Sequence, residues 1–177
     1  MPSPPLGLLS TRFVLIHVIL PILIGALIYT LWRKPTLLVF SWYDALGMSG
    51  WVGAGRAAVQ SLHRHLPHWF LFCLPDGLWV YAVTSFMGGL WIKSSAKHLF
   101  FWMSVGPVLA IGGEIGQWPG LVQGTYEGLD IAFYLMGFFG AVCSLVICNS
   151  RNHEKYSLPT NRSFFERSRA FLHSGGR

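Results

Sequence analysis

Residues Phe13–Trp32 read FVLIHVILPILIGALIYTLW, and His17 is the only ionisable side chain among them. About 20 mostly apolar residues are what a helix needs to cross the hydrocarbon core of a bilayer. Arg12 precedes the run and Arg33–Lys34 follow it. The run is too long for the apolar segment of a cleaved signal, and no small-x-small site follows it. It reads as a first transmembrane helix, which Pro21 is expected to kink.

Working outward, the rest of the chain has the same character. It is 53% hydrophobic and 11% charged, against about 25% charged residues in ordinary soluble domains. Such a chain has too few polar groups to cover a water-facing surface. The formal net charge of +6 does not indicate a nucleic-acid partner, because most basic residues flank apolar runs or lie in the tail after Cys148. That distribution suits orientation by the positive-inside rule.

Three further spans are expected. Trp69–Ile92 is interrupted near its start by Pro75-Asp76-Gly77, so its regular helix is expected to begin near Asp76, a good N-cap residue. His98–Gln117 carries Glu114 in its last turn, and Leu129–Cys148 carries Asp130 in its first. Between the first two spans, Thr36–Leu46 is apolar but too short to cross, so it is expected to re-enter the membrane or lie in the interface. Arg56–Leu66 places Ala58, Val59, Leu62 and Leu66 on one helical face, the pattern of an interfacial helix. The expected architecture is all-α: an integral membrane bundle of four transmembrane helices over residues 1–150, with a re-entrant or interfacial segment between helices 1 and 2. A basic cytoplasmic tail follows at 151–177, with a short helix at Ser163–Leu172.

With both termini cytoplasmic, the inner side holds nine basic residues: Arg12, Lys93, Lys97 and six in the tail. The outer side holds four, Arg33, Lys34, Arg56 and Arg64. This imbalance favours that orientation. It also gathers Asp76, Glu114, Gln117, Glu127 and Asp130 at one depth, near the outer face. A carboxylate at membrane depth is costly and faces the bundle interior or a wet cavity. Glu114 and Gln117 share a helical face, as do Glu127 and Asp130; Asp130, Tyr134 and Gly137 share a stripe. Gly112 and Gly116 form a GxxxG step, and Gly137 and Gly140 a second small patch. They suggest that the third and fourth spans pack closely. The six candidate ligand-binding residues are therefore Asp76, Glu114, Gln117, Glu127, Asp130 and Tyr134. Asp76 and Asp130 have a plainer reading as helix N-caps, and Glu127 as a solvated loop acid.

Other features carry less. His63, His65 and His68 have metal-like spacing, but no Cys or acid adjoins them and Pro67 breaks the helix, so no metal and no cofactor are expected. Cys73, Cys143 and Cys148 read as packing thiols, and the eight tryptophans as an interface belt. His17 reads as a packed or lumen-facing histidine. No nucleophile elbow, HExxH, phosphate loop or CxxCH is present, so no reaction is assigned.

Glu114-x-x-Gln117, then Gly124-Thr125-Tyr126-Glu127-x-x-Asp130, then Tyr134 and Gly137, resembles the VanZ-like family of small bacterial membrane proteins. That family has a Glu-x-x-Gln near the end of one helix and an Asp-x-x-Asp opening the next; Glu127 stands for the first of those acids. The chain departs from the pattern at Gly124 and Tyr134, where the family commonly has Arg and Asn. The resemblance implies a multi-pass protein of the bacterial inner membrane that binds an envelope component, a lipid headgroup or glycopeptide, with a link to antibiotic resistance. Membrane lipids, a membrane-protein partner or a second copy are the partners expected. The competing reading is a non-catalytic accessory subunit of a larger membrane complex.

Overall fold

The computed structural model describes residues 9–122 and 124–150; the 151–177 tail and its expected Ser163–Leu172 helix lie outside the described residues. Among the described residues the fold is entirely helical. Three helices are long and apolar enough to cross a membrane: α1 (Thr11–Trp32), α5 (Ala96–Gln117) and α6 (Gly128–Ser150). Two short helices, α2 (Leu38–Ala45) and α3 (Ser49–Val59), follow α1. A 3-10 stretch at Gln60–His65 and a single turn at His68–Leu71 lead into α4 (Cys73–Trp91).

Proline accounts for the irregularity in α1. Pro21 has no N–H to give to the carbonyl one turn earlier. The helix widens into a π turn over Leu15–Ile19, immediately before that proline. It ends at Trp32 because Pro35 disfavours helical backbone in the residue before it. Gly47, at φ 69°, closes α2: its N–H reaches Asp44 O and the Met48 N–H reaches Tyr43 O, at 3.0 and 2.8 Å. This is a left-handed glycine cap.

α4 is the centre of the bundle. It packs against α1 and α5 and meets α6 where Gly77 faces the Phe133 backbone and Gly137 faces Gly77. Its buried face is made of small and polar residues, among them Ala82, Thr84, Ser85, Gly88 and Gly89. The face of α4 turned toward its neighbours needs no lipid-facing coat, while Trp79, Phe86 and Leu90 on its other side are exposed. The outside of the bundle shows the reverse: Leu23, Leu27, Leu109, Met136 and Phe139 are all more than half exposed. Large apolar groups outside and small ones inside are what a hydrocarbon solvent selects.

Several details differ from expectation. α4 starts at Cys73, three residues before Asp76, so Asp76 lies in the first turn and is not its N-cap. Pro75 is tolerated there because first-turn N–H groups lack helical partners in any case. Asp130 is likewise inside the first turn of α6. The Arg56–Leu66 segment is not one helix: α3 ends at Val59 and the chain tightens into 3-10 geometry. The glycine step at Gly112 and Gly116 does not meet another helix. A Cβ at Gly112 would touch nothing within 4 Å, and one at Gly116 would meet Val122 of the following loop. The close crossing is α4 with α6.

Arg56 ties the α2–α3 segment to the bundle. Its guanidinium donates to Thr30 O at 2.5 Å and Arg33 O at 2.8 Å, carbonyls at the end of α1, and lies 5.0 Å from the centre of the Phe40 ring. A cation here satisfies orphan carbonyls and meets the negative end of the helix dipole. Arg56→Ala should therefore lower stability by about 1–3 kcal/mol, measurable as an earlier thermal transition in mild detergent. An unchanged transition would show that the α2–α3 segment is held by other contacts.

Candidate functional site

Three helix ends and one loop converge on a cavity of about 550 Å³. Asp76 comes from the first turn of α4. Glu114 and Gln117 come from the last turn of α5. Glu127 immediately precedes α6, and Asp130 and Tyr134 lie on its first two turns. All six residues singled out in the sequence line this one cavity.

Glu114 organises the site. It is 3% exposed, and its Oε1 accepts the Glu127 backbone N–H at 2.5 Å. This bond joins the end of α5 to the start of α6 across a loop. It also explains a buried carboxylate, since a backbone N–H at a helix start is a favourable partner for an anion. Glu127 is thus more than a solvated loop acid: its backbone is pinned by Glu114, and its carboxylate lies 3.8 Å from His68 Nε2. Tyr134 is buried at the back of the cavity.

Gln117 packs against the loop at Gly124, where an added Cβ would overlap its side-chain amide. Gly124 also has φ 147°, a backbone setting open mainly to glycine. Both facts exclude a larger residue there.

The sequence reading did not include Arg33, Lys34 and His68, which line the same cavity. Arg33 is clamped by two aromatic faces, with its guanidinium carbon 5.0 Å from the ring centres of both Tyr29 and Phe72. The signal for Arg33 and Lys34 was present: the expected topology puts the end of the first span on the same side as the carboxylates. His68 had no such signal, because Glu127, the acid it meets, is distant in sequence. Arg33 and Lys34 also border a second, more basic groove of about 890 Å³ that includes Arg56 and Arg64.

A separate polar chain crosses the bundle at His17. Its Nδ1 lies 2.6 Å from Tyr81 Oη, which lies 3.0 Å from Ser144 Oγ. Ser144 in turn donates to Gly140 O at 2.9 Å. This links α1, α4 and α6 and makes His17 a packing histidine with a defined partner.

The cavity thus offers four carboxylates and two cations in one mouth. No protein-family model, curated protein or solved structure matches the chain.

Proposed function

We propose that this is a multi-pass membrane protein of the bacterial inner membrane whose outward-facing cavity binds a polar headgroup of an envelope component. The reading is supported by one observation above the others: six polar residues from three helix ends line a single cavity, and Arg33 and Lys34 share it. An ammonium group fits among Asp76, Glu127 and Asp130. A phosphate fits against Arg33 and Lys34, cations that are well suited to that group. The lining therefore favours a headgroup carrying both charges, such as an ethanolamine phospholipid, over a purely anionic one. The likeness of the Glu114–Gly137 stretch to VanZ-like proteins points to the same residues and the same compartment.

The reading includes four spans, with α4 as the fourth. At about 1.5 Å per residue, its 19 residues run for about 28 Å, close to the hydrocarbon thickness. Both termini are then cytoplasmic, and the α2–α3 segment lies at the outer interface. Exposed Trp42 and Trp51 on that segment suit an interfacial position.

Native mass spectrometry of the detergent-solubilised chain tests this reading. Wild type and the Glu114→Gln/Asp130→Asn double variant are each supplied with phosphatidylethanolamine or phosphatidylglycerol. Wild type should retain phosphatidylethanolamine preferentially, and the double variant should lose that preference by about tenfold, the effect of roughly 1.4 kcal/mol. Equal retention by both forms would overturn the reading. A protein partner held by both forms, with no lipid preference, would put an accessory subunit in its place.

A further inference from the structure

The His63–His68 run lacked an adjacent thiol or acid in the sequence, and the fold supplies both. The donor atoms of His68, Cys73 and Glu127 all lie within 4.8 Å of one another. His68 sits on the turn before α4, Cys73 is the first residue of α4, and Glu127 directly precedes α6. Asp130 is one turn beyond Glu127 and neighbours the Cys73 thiol. Its Oδ1 is buried and has no hydrogen-bond partner among the described residues. We propose that His68, Cys73 and Glu127 form a three-ligand zinc site beside the cavity, its fourth position open to water.

The donor set selects the ion. A thiolate disfavours Mg²⁺ and Ca²⁺, while imidazole, thiolate and carboxylate together suit Zn²⁺ in a four-coordinate site. Zinc bonds of about 2.0–2.3 Å place tetrahedral donors about 3.5 Å apart. Reaching that spacing from 4.8 Å asks for shifts of about 1 Å. The two side chains that must move are free to do so: His68 is 60% exposed and Glu127 37%. Their surroundings already restrict orientation. The His68 ring stacks on Phe72 at 4.3 Å between centres, and Glu114 pins the Glu127 backbone. A coordinated thiol loses its proton to become a thiolate, and the dication offsets the repulsion between the thiolate and the Glu127 carboxylate.

The proposal does not depend on the headgroup reading, although both involve Glu127; with Zn²⁺ bound there, an ammonium group still meets Asp76 and Asp130. The test uses the full chain in mild detergent, stripped with a chelator and titrated with Co²⁺ and then Zn²⁺. A single Co²⁺ should bind with a thiolate-to-cobalt charge-transfer band in the near ultraviolet, and Zn²⁺ should displace it. Cys73→Ser should abolish the band, while Cys143→Ser and Cys148→Ser should leave it intact. His68→Ala should weaken Zn²⁺ binding by at least about tenfold, the scale seen when even an outer-shell partner is lost. His68 is exposed, so this variant decides the matter if the buried Cys73→Ser protein does not fold. Absence of the band in wild type, its survival in Cys73→Ser, or unaltered Zn²⁺ affinity in His68→Ala would overturn the site. Preferential phosphatidylethanolamine retention in a chain that binds no Zn²⁺ would overturn the metal site alone; Zn²⁺ binding without lipid preference would overturn the headgroup reading alone.

Discussion

Gly137→Ala is expected to lower the thermal transition of the detergent-solubilised protein sharply, and Gly137→Leu to yield no folded protein. The Cβ added at Gly137 would run into Gly77 O and come within 3.1 Å of Tyr81 N. Both obstacles are helix backbone, which cannot swing aside as a side chain can. The helices would have to separate, and the reciprocal close packing at Gly77, where a Cβ would lie 2.9 Å from Phe133 O, would be lost with it. Overpacking of this kind costs about 1–3 kcal/mol for a methyl and more for a larger group. The same separation would move Asp130 and Tyr134 away from Asp76 and open the cavity. Gly112→Ala provides the matched control, because its Cβ meets nothing within 4 Å. There the substitution should be neutral or stabilising by up to about 1 kcal/mol through helix propensity. If both alanine variants melt together, α4 and α6 do not cross at Gly77 and Gly137.

Glu114→Leu should release the loop between α5 and α6. The leucine fills similar space but leaves the Glu127 N–H without its partner, a charge-assisted bond worth about 1.5–3 kcal/mol. Exchange of the Glu127 amide with deuterated solvent should accelerate by at least about tenfold, the equivalent of 1.4 kcal/mol. The thermal transition should fall by a smaller margin than in Gly137→Ala, because the helix crossing is intact. Glu114→Gln keeps an oxygen acceptor and should protect the amide to an intermediate degree. The three proteins thus form a series: wild type, glutamine, leucine. Unchanged exchange in Glu114→Leu would mean that Glu114 is buried for some other reason and does not hold the start of α6.

Much of the site was legible before any coordinates. A carboxylate inside an apolar span is expensive, so Glu114 and Asp130 stood out, and helix length with the distribution of Lys and Arg led to the expectation that they share one depth. Gln117 and Tyr134 followed from helical spacing. All of these line one cavity. The cationic wall was half legible, since Arg33 and Lys34 end the first span on the same side as the carboxylates. The glycines were misassigned. GxxxG spacing at Gly112 and Gly116 identifies a small-residue face but not the helix that uses it. Gly77, attributed to a disrupted helix start, turned out to mark the tightest crossing.

What the sequence by itself determined is the solvent of this protein. Runs of about 20 apolar residues satisfy their backbone groups only as helices in a bilayer, and this follows from composition and order alone. What the tertiary structure decided is which helix lies in the middle and which distant residues become neighbours. α4 takes the centre because Gly77 admits the backbone of α6, and Gly88 and Gly89 leave room for the Leu145, Met103 and Phe13 side chains. That position carries Asp76 to the carboxylates of α5 and α6, and brings Cys73 beside His68 and Glu127. Helical periodicity relates residues three or four apart on one segment. Contacts between Cys73 and Glu127 depend on how separate segments pack, a choice made by side-chain volume at the helix crossings and by the hydrogen bond between Glu114 and Glu127.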